Sequence, residues 1–229
     1  METFAIIPAY NEEESIGKVI RDIPGEIITE IIVVDNNSTD QTGKVANEAG
    51  ATVLFESVKG YGAACLRGIE YLRNKKCDAV VFLDGDYSDY PEEIVDLVKP
   101  IENNQYDFVL GSRVLGTREK GSLLFHSRIG SLIAGFLMKL FWNVKYTDLG
   151  PFRAIKFNKL IELNMRDKWF GWTVEMQIKA AKKKFGILEI PVKYRKRIGK
   201  SKVTGTLKGT LMASIIILKT IFSELIKGR

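Results

Sequence analysis

The sequence contains few of the residues on which several classes of protein depend. Among its 229 residues there are two cysteines, Cys65 and Cys77, and one histidine, His126. Two cysteines make neither a disulfide framework nor a CxxC metal site, which fits a reducing compartment. One histidine excludes a multi-histidine zinc site and argues against a serine triad. The GxxxxGK[ST] motif of P-loop proteins is also absent.

Long hydrophobic runs are missing as well, although 45% of the residues are hydrophobic and can form a sizeable core. The N-terminal METFAIIPAY has no basic region and no long apolar stretch, so it does not read as a signal peptide. Two apolar stretches, 129–138 in a helix predicted for 122–143, and 211–226, are too short or too charged to span a bilayer. Each is expected to be a core helix or a helix lying in a membrane interface.

The net charge of +6 is distributed unevenly along the chain. Residues 182–202 contain nine Lys or Arg and one acid, Glu189, so this segment carries +8 and the remainder −2. A basic segment set against an acidic remainder indicates an anionic partner: phosphate groups, an anionic membrane face or a nucleic acid.

The first half of the chain alternates between apolar strand patterns and helical spacing of apolar residues. Asn11 and Glu14 are placed like a capping box for the first helix. This alternation predicts an α/β fold with βαβ units and a mainly parallel sheet flanked by helices. Ligands of such sheets bind at the carboxyl ends of the strands, where Asp35 and Asp84 stand. Strands are predicted at 3–7, 27–34, 52–55, 79–83, 108–110 and 187–194.

Three aspartates follow the strand predicted at 79–83, in the motif FLDGDYSDYP: Asp84, Asp86 and Asp89. Like charges repel, and desolvating each costs several kcal/mol unless something compensates. Asp84 and Asp86 can direct two oxygens at one ion, and Mg²⁺ and Mn²⁺ share such ligands with substrate phosphates. The alternative is a solvated acidic turn, but the position after a buried strand favours a metal.

Other motifs are less specific. GYGAAC at 60–65 resembles a dinucleotide-binding fingerprint but lacks the third glycine, and the acid expected about 20 residues later falls inside a strand. A redox Rossmann protein is therefore a weak alternative. Glu12 near a helix start and Asp35 after a strand could be ordinary dipole and turn residues.

Seven segments in order carry a resemblance to a known family. The chain resembles family-two glycosyltransferases, in particular the dolichyl-phosphate mannose synthase group of polyprenyl-phosphate sugar synthases, over about residues 3–205. The resemblance implies a GT-A fold, a nucleotide-sugar donor and a divalent ion, Mg²⁺ or Mn²⁺. We assign residues 1–205 to a GT-A domain and 206–229 to an amphipathic C-terminal helix, which is either a core helix or a helix at a membrane interface. The segments are FAIIPAYNEEESIG, IIVVDNNSTDQT, FLDGDYSDYPEEI, FVLGSR, GPFRAI, GWTVEMQIKA and EIPVKYRKRIGKSK.

The resemblance also implies roles for individual residues. Asp84 and Asp86 match the DxD metal motif, and Ser88 stands where some members have a metal-binding glutamine. Near Asp148 the chain reads DLGPFR where many members read DLTSGFR, whereas Arg153 aligns. The positions that hold the donor are matched by Pro8, Tyr10, Glu12, Asp35 and Asp84, and the catalytic set around the phosphates by Asp86, Arg113, Arg128, Arg197 and Lys202.

The implied activity is inverting, metal-dependent transfer of a hexose from GDP-mannose or UDP-glucose to a polyprenyl phosphate. The enzyme would be peripheral on the cytosolic membrane face, where a membrane-anchoring subunit could assist it. A phosphate acceptor, with a second pKa of about 6, needs no general base, whereas an alcohol acceptor does. Glu175 could orient an arginine or a metal-bound water, act as that base, or be a surface residue.

Two alternatives remain at this stage. One is a family-two enzyme that glycosylates a hydroxyl of a glycan or glycolipid; the absence of QxxRW argues against the processive polysaccharide synthases. The other is a nucleic-acid-binding module that uses the basic stretch. The acidic strand ends argue against it, so no nucleic-acid partner is expected.

Overall fold

A central mixed sheet organises the chain. The computed structural model describes residues 1–123, 125–199 and 207–227, without the side chains of 125–128, 207, 208, 210 and 211. Within these residues there are seven strands: β1 (Thr3–Ala9), β2 (Glu30–Asp35), β3 (Thr52–Phe55), β4 (Ala79–Phe82), β5 (Phe108–Ser112), β6 (Arg153–Lys156) and β7 (Ile187–Pro191). They pair in the order β3-β2-β1-β4-β6-β5-β7.

Helices cover both faces of the sheet, so the central strands are apolar on both sides. Ile6 and Ile32 face one hydrophobic cluster, while Ile7 and Val33 face the other. The helices are α1 (Ile16–Asp22), α2 (Thr42–Glu48), α3 (Tyr61–Leu72), α4 (Ile94–Glu102), α5 (Phe125–Trp142), α6 (Phe157–Leu163), α7 (Trp172–Lys182) and α8 (Leu207–Ile226). Helices α3, α5, α6, α7 and α8 contribute to the first cluster, and α1, α2 and α4 to the second. The predicted α/β class is confirmed.

One strand of the sheet was not predicted from the sequence. β6 lies between β4 and β5 and runs antiparallel to both. Its four residues begin with Arg153, which is completely buried and donates to the carbonyls of Gly150 and Thr173. Burial lowers the pKa of this guanidinium to about 10. A short strand that starts with a charged residue lacks the apolar run by which strands are recognised.

The capping box predicted for Asn11 and Glu14 is wrong. α1 begins only at Ile16, and Asn11 has a φ of 54°, in the left-handed region. The Asn11 side chain instead accepts the amide of Thr39 at 2.8 Å and so joins the turns that follow β1 and β2. The turn that leads into α1 is closed by the carbonyl of Glu12, which accepts the amides of Ser15 and Ile16.

The C-terminal helix α8 packs on the same face as α5 and α7. Ile221 is completely buried, and the Phe141 and Phe222 rings lie 6.2 Å apart. Lys182 of α7 lies 3.3 Å from the carboxylate of Glu224. In the parts of the chain that the structure describes, no helix combines the length and apolar character needed to cross a bilayer. The domain boundary predicted at residue 205 falls in 200–206, outside the described residues.

Gly68 sets the distance between α3 and β1. A Cβ at this position would lie 2.8 Å from Cγ2 of the buried Ile6. Helix propensity alone would favour alanine by about 1 kcal/mol, but overpacking a filled core costs about 1–3 kcal/mol. We therefore expect Gly68→Ala to lower the free energy of unfolding by about 1 kcal/mol, measured by chemical denaturation. Gly25→Ala is the control, because nothing lies within 4 Å of its Cβ position. Equal stability of the two variants would contradict this account of the packing.

Candidate active site

The carboxyl ends of β1 and β4 open into one cleft, with a volume of about 260 Å³. The two strands are parallel neighbours in the sheet, so the residues that follow them meet at one edge. Residues after β1, β2 and β4 share the lining with side chains from distant parts of the chain. The polar and aromatic lining residues are Tyr10, Glu12, Asn36, Lys59, Tyr61, Asp84, Asp86, Trp169, Phe170 and Arg197.

Two of the three aspartates of the loop after β4 are withdrawn from solvent, and Asp84 is partly exposed. Asp86 and Asp89 are each 2% exposed. Asp86 Oδ1 accepts the amide of Ser88 at 2.9 Å and also the Ser88 hydroxyl. The loop is therefore an ordered turn and not a solvated one. Ser88, a weak candidate ligand from the sequence, holds the Asp86 carboxylate in place.

This loop concentrates negative charge that the described residues only partly compensate. Burial, followed by the charges of Asp86 and Asp89, raises the pKa of Asp84 well above its usual range. Burial, followed by the charge of Asp86, raises the pKa of Asp89 to about 7. Asp89 Oδ1 is buried and has no hydrogen-bond partner among the described residues. A bound cation would relieve each of these unfavourable interactions.

The donor set fits a hard divalent cation that is shared with a substrate. Carboxylate oxygens from Asp84 and Asp86 are the ligands that Mg²⁺ and Mn²⁺ prefer. Within the described ranges, no three His, Cys, Asp or Glu residues are grouped so that they could hold a metal ion by themselves. The remaining coordination positions would therefore be filled by water or by substrate oxygens.

The basic segment reaches the acidic loop through residues 193–198. Nη2 of Arg197 lies 2.9 Å from Oδ2 of Asp86 and 3.3 Å from Oε1 of Glu12. The amide of Ile198 donates to the carbonyl of Asp86 at 2.9 Å. Arg197 thus lies in the cleft beside Asp86, while its predicted role at the phosphates stays a prediction.

Arg195 is a residue of the site that the sequence did not reveal. Its guanidinium donates to the carbonyls of Tyr87, at 2.6 Å, and Asp89, at 3.1 Å. The guanidinium also stacks on the Tyr87 ring, 3.3 Å from its centroid. Arg195 therefore holds the backbone of the acidic loop. Nothing in a run of lysines and arginines distinguishes it in advance.

The other end of the cleft contains an aromatic ring and an amide side chain. Lys59 Nζ donates to the Tyr10 hydroxyl at 3.3 Å. Asn36 donates to the carbonyls of Glu56 and Val58 and accepts the amide of Gly60. Pro8, Tyr10 and Glu12, predicted to hold the donor, also line the cleft. Asn36 and Lys59 were missed, because neither an asparagine after a strand nor a single lysine has a chemical signature in the sequence.

Two predicted residues lie outside the cleft lining. Asp35 ends β2 and accepts the amide of Ser38 at 2.9 Å, while its neighbour Asn36 reaches the cleft. Arg113 forms a two-point ion pair with Asp148, with Nε to Oδ2 at 2.7 Å and Nη2 to Oδ1 at 2.8 Å. Burial alone would raise the pKa of Asp148, but the charge and hydrogen bonds of Arg113 outweigh it and lower that pKa.

The side chains of two further predicted cations lie outside the described part of the chain. Arg128 lies in the first turn of α5, and its side chain is outside the described part of the chain, as is that of His126. Lys202 falls in 200–206, which is also outside the described residues. Their proposed contacts with phosphate groups remain predictions.

The GYGAAC motif serves packing and not dinucleotide binding. The amides of Gly62 and Ala63, in the first turn of α3, donate to the carbonyls of Trp169 and Lys168 at 3.2 and 3.0 Å. A Cβ at Gly62 would lie 2.0 Å from the Asp167 carbonyl oxygen. These amides are therefore engaged, and the glycine is needed for a close approach of backbone. Because these amides are not available to bind phosphate, the structure argues against the alternative of a redox Rossmann protein.

Comparison with known proteins identifies the family and relatives of the chain. Residues 4–163 match the family described as glycosyl transferase family 2. An uncharacterised glycosyltransferase of Mycobacterium bovis is 32% identical over 221 residues, covering 94% of this chain and 96% of the relative. An undecaprenyl-phosphate mannosyltransferase of Micrococcus luteus is 26% identical, covering 94% and 93%. The UDP-N-acetylglucosamine–dolichyl-phosphate N-acetylglucosaminyltransferase of Methanococcus voltae is 28% identical, covering 83% and 84%.

A solved structure confirms the predicted fold. Glucosyl-3-phosphoglycerate synthase from Mycobacterium tuberculosis, in complex with Mn²⁺, UDP and phosphoglyceric acid, superposes with a TM-score of 0.77. It is 22% identical, and the match covers 98% of this chain and 78% of that one. The predicted glycosyltransferase identity is confirmed by the match over residues 4–163 and by the 32% identical relative. The chain belongs to glycosyl transferase family 2.

Proposed function

We propose that this enzyme transfers a hexose, in a reaction that depends on Mg²⁺ or Mn²⁺, from a nucleotide sugar to a polyprenyl phosphate. The observation that carries the proposal is the cleft itself. It brings the buried carboxylates after β4 together with the Arg197 guanidinium and with the Tyr10 ring. These groups match the cation, the diphosphate and the nucleoside of such a donor.

Each part of the cleft then has a task. Asp84 and Asp86 would hold the ion, which supplies Lewis-acid stabilisation of the leaving diphosphate. Arg197 would donate to phosphate oxygens, because a guanidinium binds phosphate through two donors at once. Its present carboxylate partners show that it reaches the metal motif. Tyr10, with Lys59 beside it, offers a surface for the nucleoside.

The names of two relatives support a lipid phosphate as acceptor. The Micrococcus luteus relative is named for undecaprenyl phosphate and the Methanococcus voltae relative for dolichyl phosphate. Their donors differ, since one is a mannosyltransferase and the other takes UDP-N-acetylglucosamine. A donor panel should therefore contain GDP-mannose, UDP-glucose and UDP-N-acetylglucosamine.

The surroundings of Glu175 support a phosphate acceptor over a hydroxyl acceptor. A hydroxyl would need a general base, and Glu175 is a candidate from the sequence. Glu175 is 4% exposed, and its carboxylate accepts hydrogen bonds from the backbone amides of Arg166 and Asp167. It lines a different cavity, of about 300 Å³, on the side of α8. A carboxylate engaged in this way is poorly placed to take a proton in the cleft.

The ion pairs of the basic segment argue against a nucleic-acid partner. Lys182 pairs with Glu224, Lys183 with Glu162 and Lys193 with Glu93. Much of the charge that the sequence places in 182–199 is therefore balanced within the protein.

The reaction can be tested with the purified chain. We expect a labelled hexose from one of these donors to appear in the organic phase when polyprenyl phosphate and Mg²⁺ or Mn²⁺ are present. EDTA should abolish the transfer. Asp86→Ala should reduce it to background while circular dichroism and the melting temperature remain close to those of the wild type.

Asp96→Asn is the matched control, because Asp96 is an exposed acid of α4 and should tolerate neutralisation. Full activity in EDTA would rule out the role of the metal. Transfer to a glycan hydroxyl, but not to polyprenyl phosphate, would favour the alternative activity. Transfer only in the presence of a membrane fraction would indicate the anchoring subunit.

We also propose that the enzyme binds the cytosolic membrane face through α5 and α8, with residues 206–229 as the membrane-facing segment. Of the five charged residues in the two helices, four are basic and the fifth, Glu224, is buried. Apolar rows accompanied by positive charge suit an anionic lipid surface. The exposed apolar residues are Ile129, Leu132, Ile133, Phe136 and Leu140 on α5, and Met212, Ile215, Leu218, Phe222 and Ile226 on α8.

Sedimentation with lipid vesicles tests this surface. We expect binding to phosphatidylcholine vesicles that contain phosphatidylglycerol, and weaker binding as salt rises. Phe136→Gln combined with Phe222→Gln should weaken binding at least about tenfold, because each buried aromatic ring contributes about 1.5–3 kcal/mol. Phe55→Gln, at another exposed phenylalanine, should have no effect. No binding of the wild type at low salt would contradict the proposal.

A further inference from the structure

One wall of the cleft is formed by a stretch without regular secondary structure, residues 164–171, between α6 and α7. We call it the wall segment. Its Trp169 and Phe170 line the cleft, and Trp169 is 51% exposed. An exposed aromatic side chain on a segment without helical or strand hydrogen bonds needs other contacts to keep it in one place.

The first of these contacts comes from α7. The Glu175 carboxylate accepts the amide of Arg166 at 3.0 and 3.1 Å and the amide of Asp167 at 2.8 Å. Lys179, one turn further along α7, lies 2.6 Å from Oε1 of Glu175 and donates to the carbonyl of Asn164 at 2.7 Å. Glu175 and Lys179 together therefore hold the backbone at the start of the wall segment.

The second contact comes from α3, on the other side. The carbonyls of Lys168 and Trp169 accept the first-turn amides of that helix. The approach is so close that Gly60 and Gly62 have no room for a side chain: a Cβ would lie 2.1 and 2.0 Å from carbonyl oxygens of the wall segment. The segment is fixed between α7 and α3, so loss of either contact would let it move.

We propose that Glu175 is a positioning residue. Together with Lys179, it fixes the wall segment so that Trp169 and Phe170 shape the cleft for the nucleotide-sugar donor. This inference rests on the proposed function, because it takes the cleft as the donor site. It assigns Glu175 a role different from the three that the sequence leaves open. Both of its oxygens serve backbone amides, and it touches the cleft only through the segment it holds.

Hydrogen exchange in the absence of any ligand tests the positioning directly. In Glu175→Gln, a carboxamide with one acceptor oxygen replaces the carboxylate, so the amides of Arg166 and Asp167 should exchange about tenfold faster or more. The amides of Gly62 and Ala63 should also exchange faster. Lys179→Met should reproduce the effect more weakly, which a general base would not explain. Glu162→Gln is the matched control: Glu162 is an exposed acid of the neighbouring α6, bound to Lys159 and Lys183.

Binding and kinetics provide the second measurement. For whichever of UDP or GDP the wild type binds with Mn²⁺, we expect Glu175→Gln and Lys179→Met to weaken binding, Glu175→Gln by about tenfold. The change should appear mainly in the donor KM, with kcat and its pH profile nearly unchanged, because a binding surface is lost and no proton transfer is removed. Tryptophan fluorescence during the titration should show a smaller response in both variants, because Trp169 lies at the cleft.

Two results would overturn the inference. Exchange in Glu175→Gln equal to that of the wild type would remove the positioning role. A collapse of kcat with unchanged donor binding, rescued at high pH, would identify Glu175 as a base. Failure of the proposed function is a separate result. A wild type that binds neither nucleotide, with exchange still accelerated in the variants, would remove the donor from the cleft and with it the functional part of this inference.

Discussion

The crowding of three aspartates at the end of β4, two of them buried, is the constraint on which the arrangement of the cleft depends. Carboxylates so close together repel one another, and their withdrawal from water adds to the cost. The chain reduces this cost in two ways. Within the loop, Ser88 donates a hydrogen bond to Asp86. From a segment about a hundred residues later in the chain, Arg195 binds the loop backbone and Arg197 binds the Asp86 carboxylate. The compensation is incomplete, because the buried Asp89 Oδ1 has no hydrogen-bond partner among the described residues and burial raises the pKa of Asp89 to about 7.

The sheet makes this compensation possible by bringing distant segments to one edge. β7 lies at one end of the sheet, parallel to β5, and the chain that leaves it reaches the loop after β4. β6 separates β4 from β5, and its Arg153 is buried between the sheet and α7. The pair Arg113–Asp148 joins the end of β5 to the segment that leads into β6. The strands behind the cleft are therefore fixed by buried charges as well as by apolar packing.

The sequence predicts the strands and helices whose apolar residues recur at a regular spacing. It also predicts the candidate site residues that come directly after a strand. Apolar alternation identified β1 to β5 and the helices between them, because each buries a continuous apolar face. Asp84 and Asp86 were identified because carboxylates after a buried strand need compensation. The sequence did not predict several features whose roles arise from tertiary contacts between residues far apart in the chain. These features are β6, Arg195, Asn36 and the positioning contacts of Glu175. Arg195 touches Tyr87 across more than a hundred residues, and no local pattern encodes such a contact.

The apolar row of α8 lies on the outer side of a helix whose inner side, through Ile221, belongs to the core. An α-helix with its side chains is about 10–12 Å across, so a protein bound through this row can sink by no more than about the radius of a helix. That depth corresponds to the headgroup region, where interfacial helices lie about 5–10 Å deep. The remainder of the domain would stay in water. A water-soluble donor and a lipid acceptor could then meet at the membrane surface. The protein would not have to enter the bilayer, and the lipid would not have to leave it.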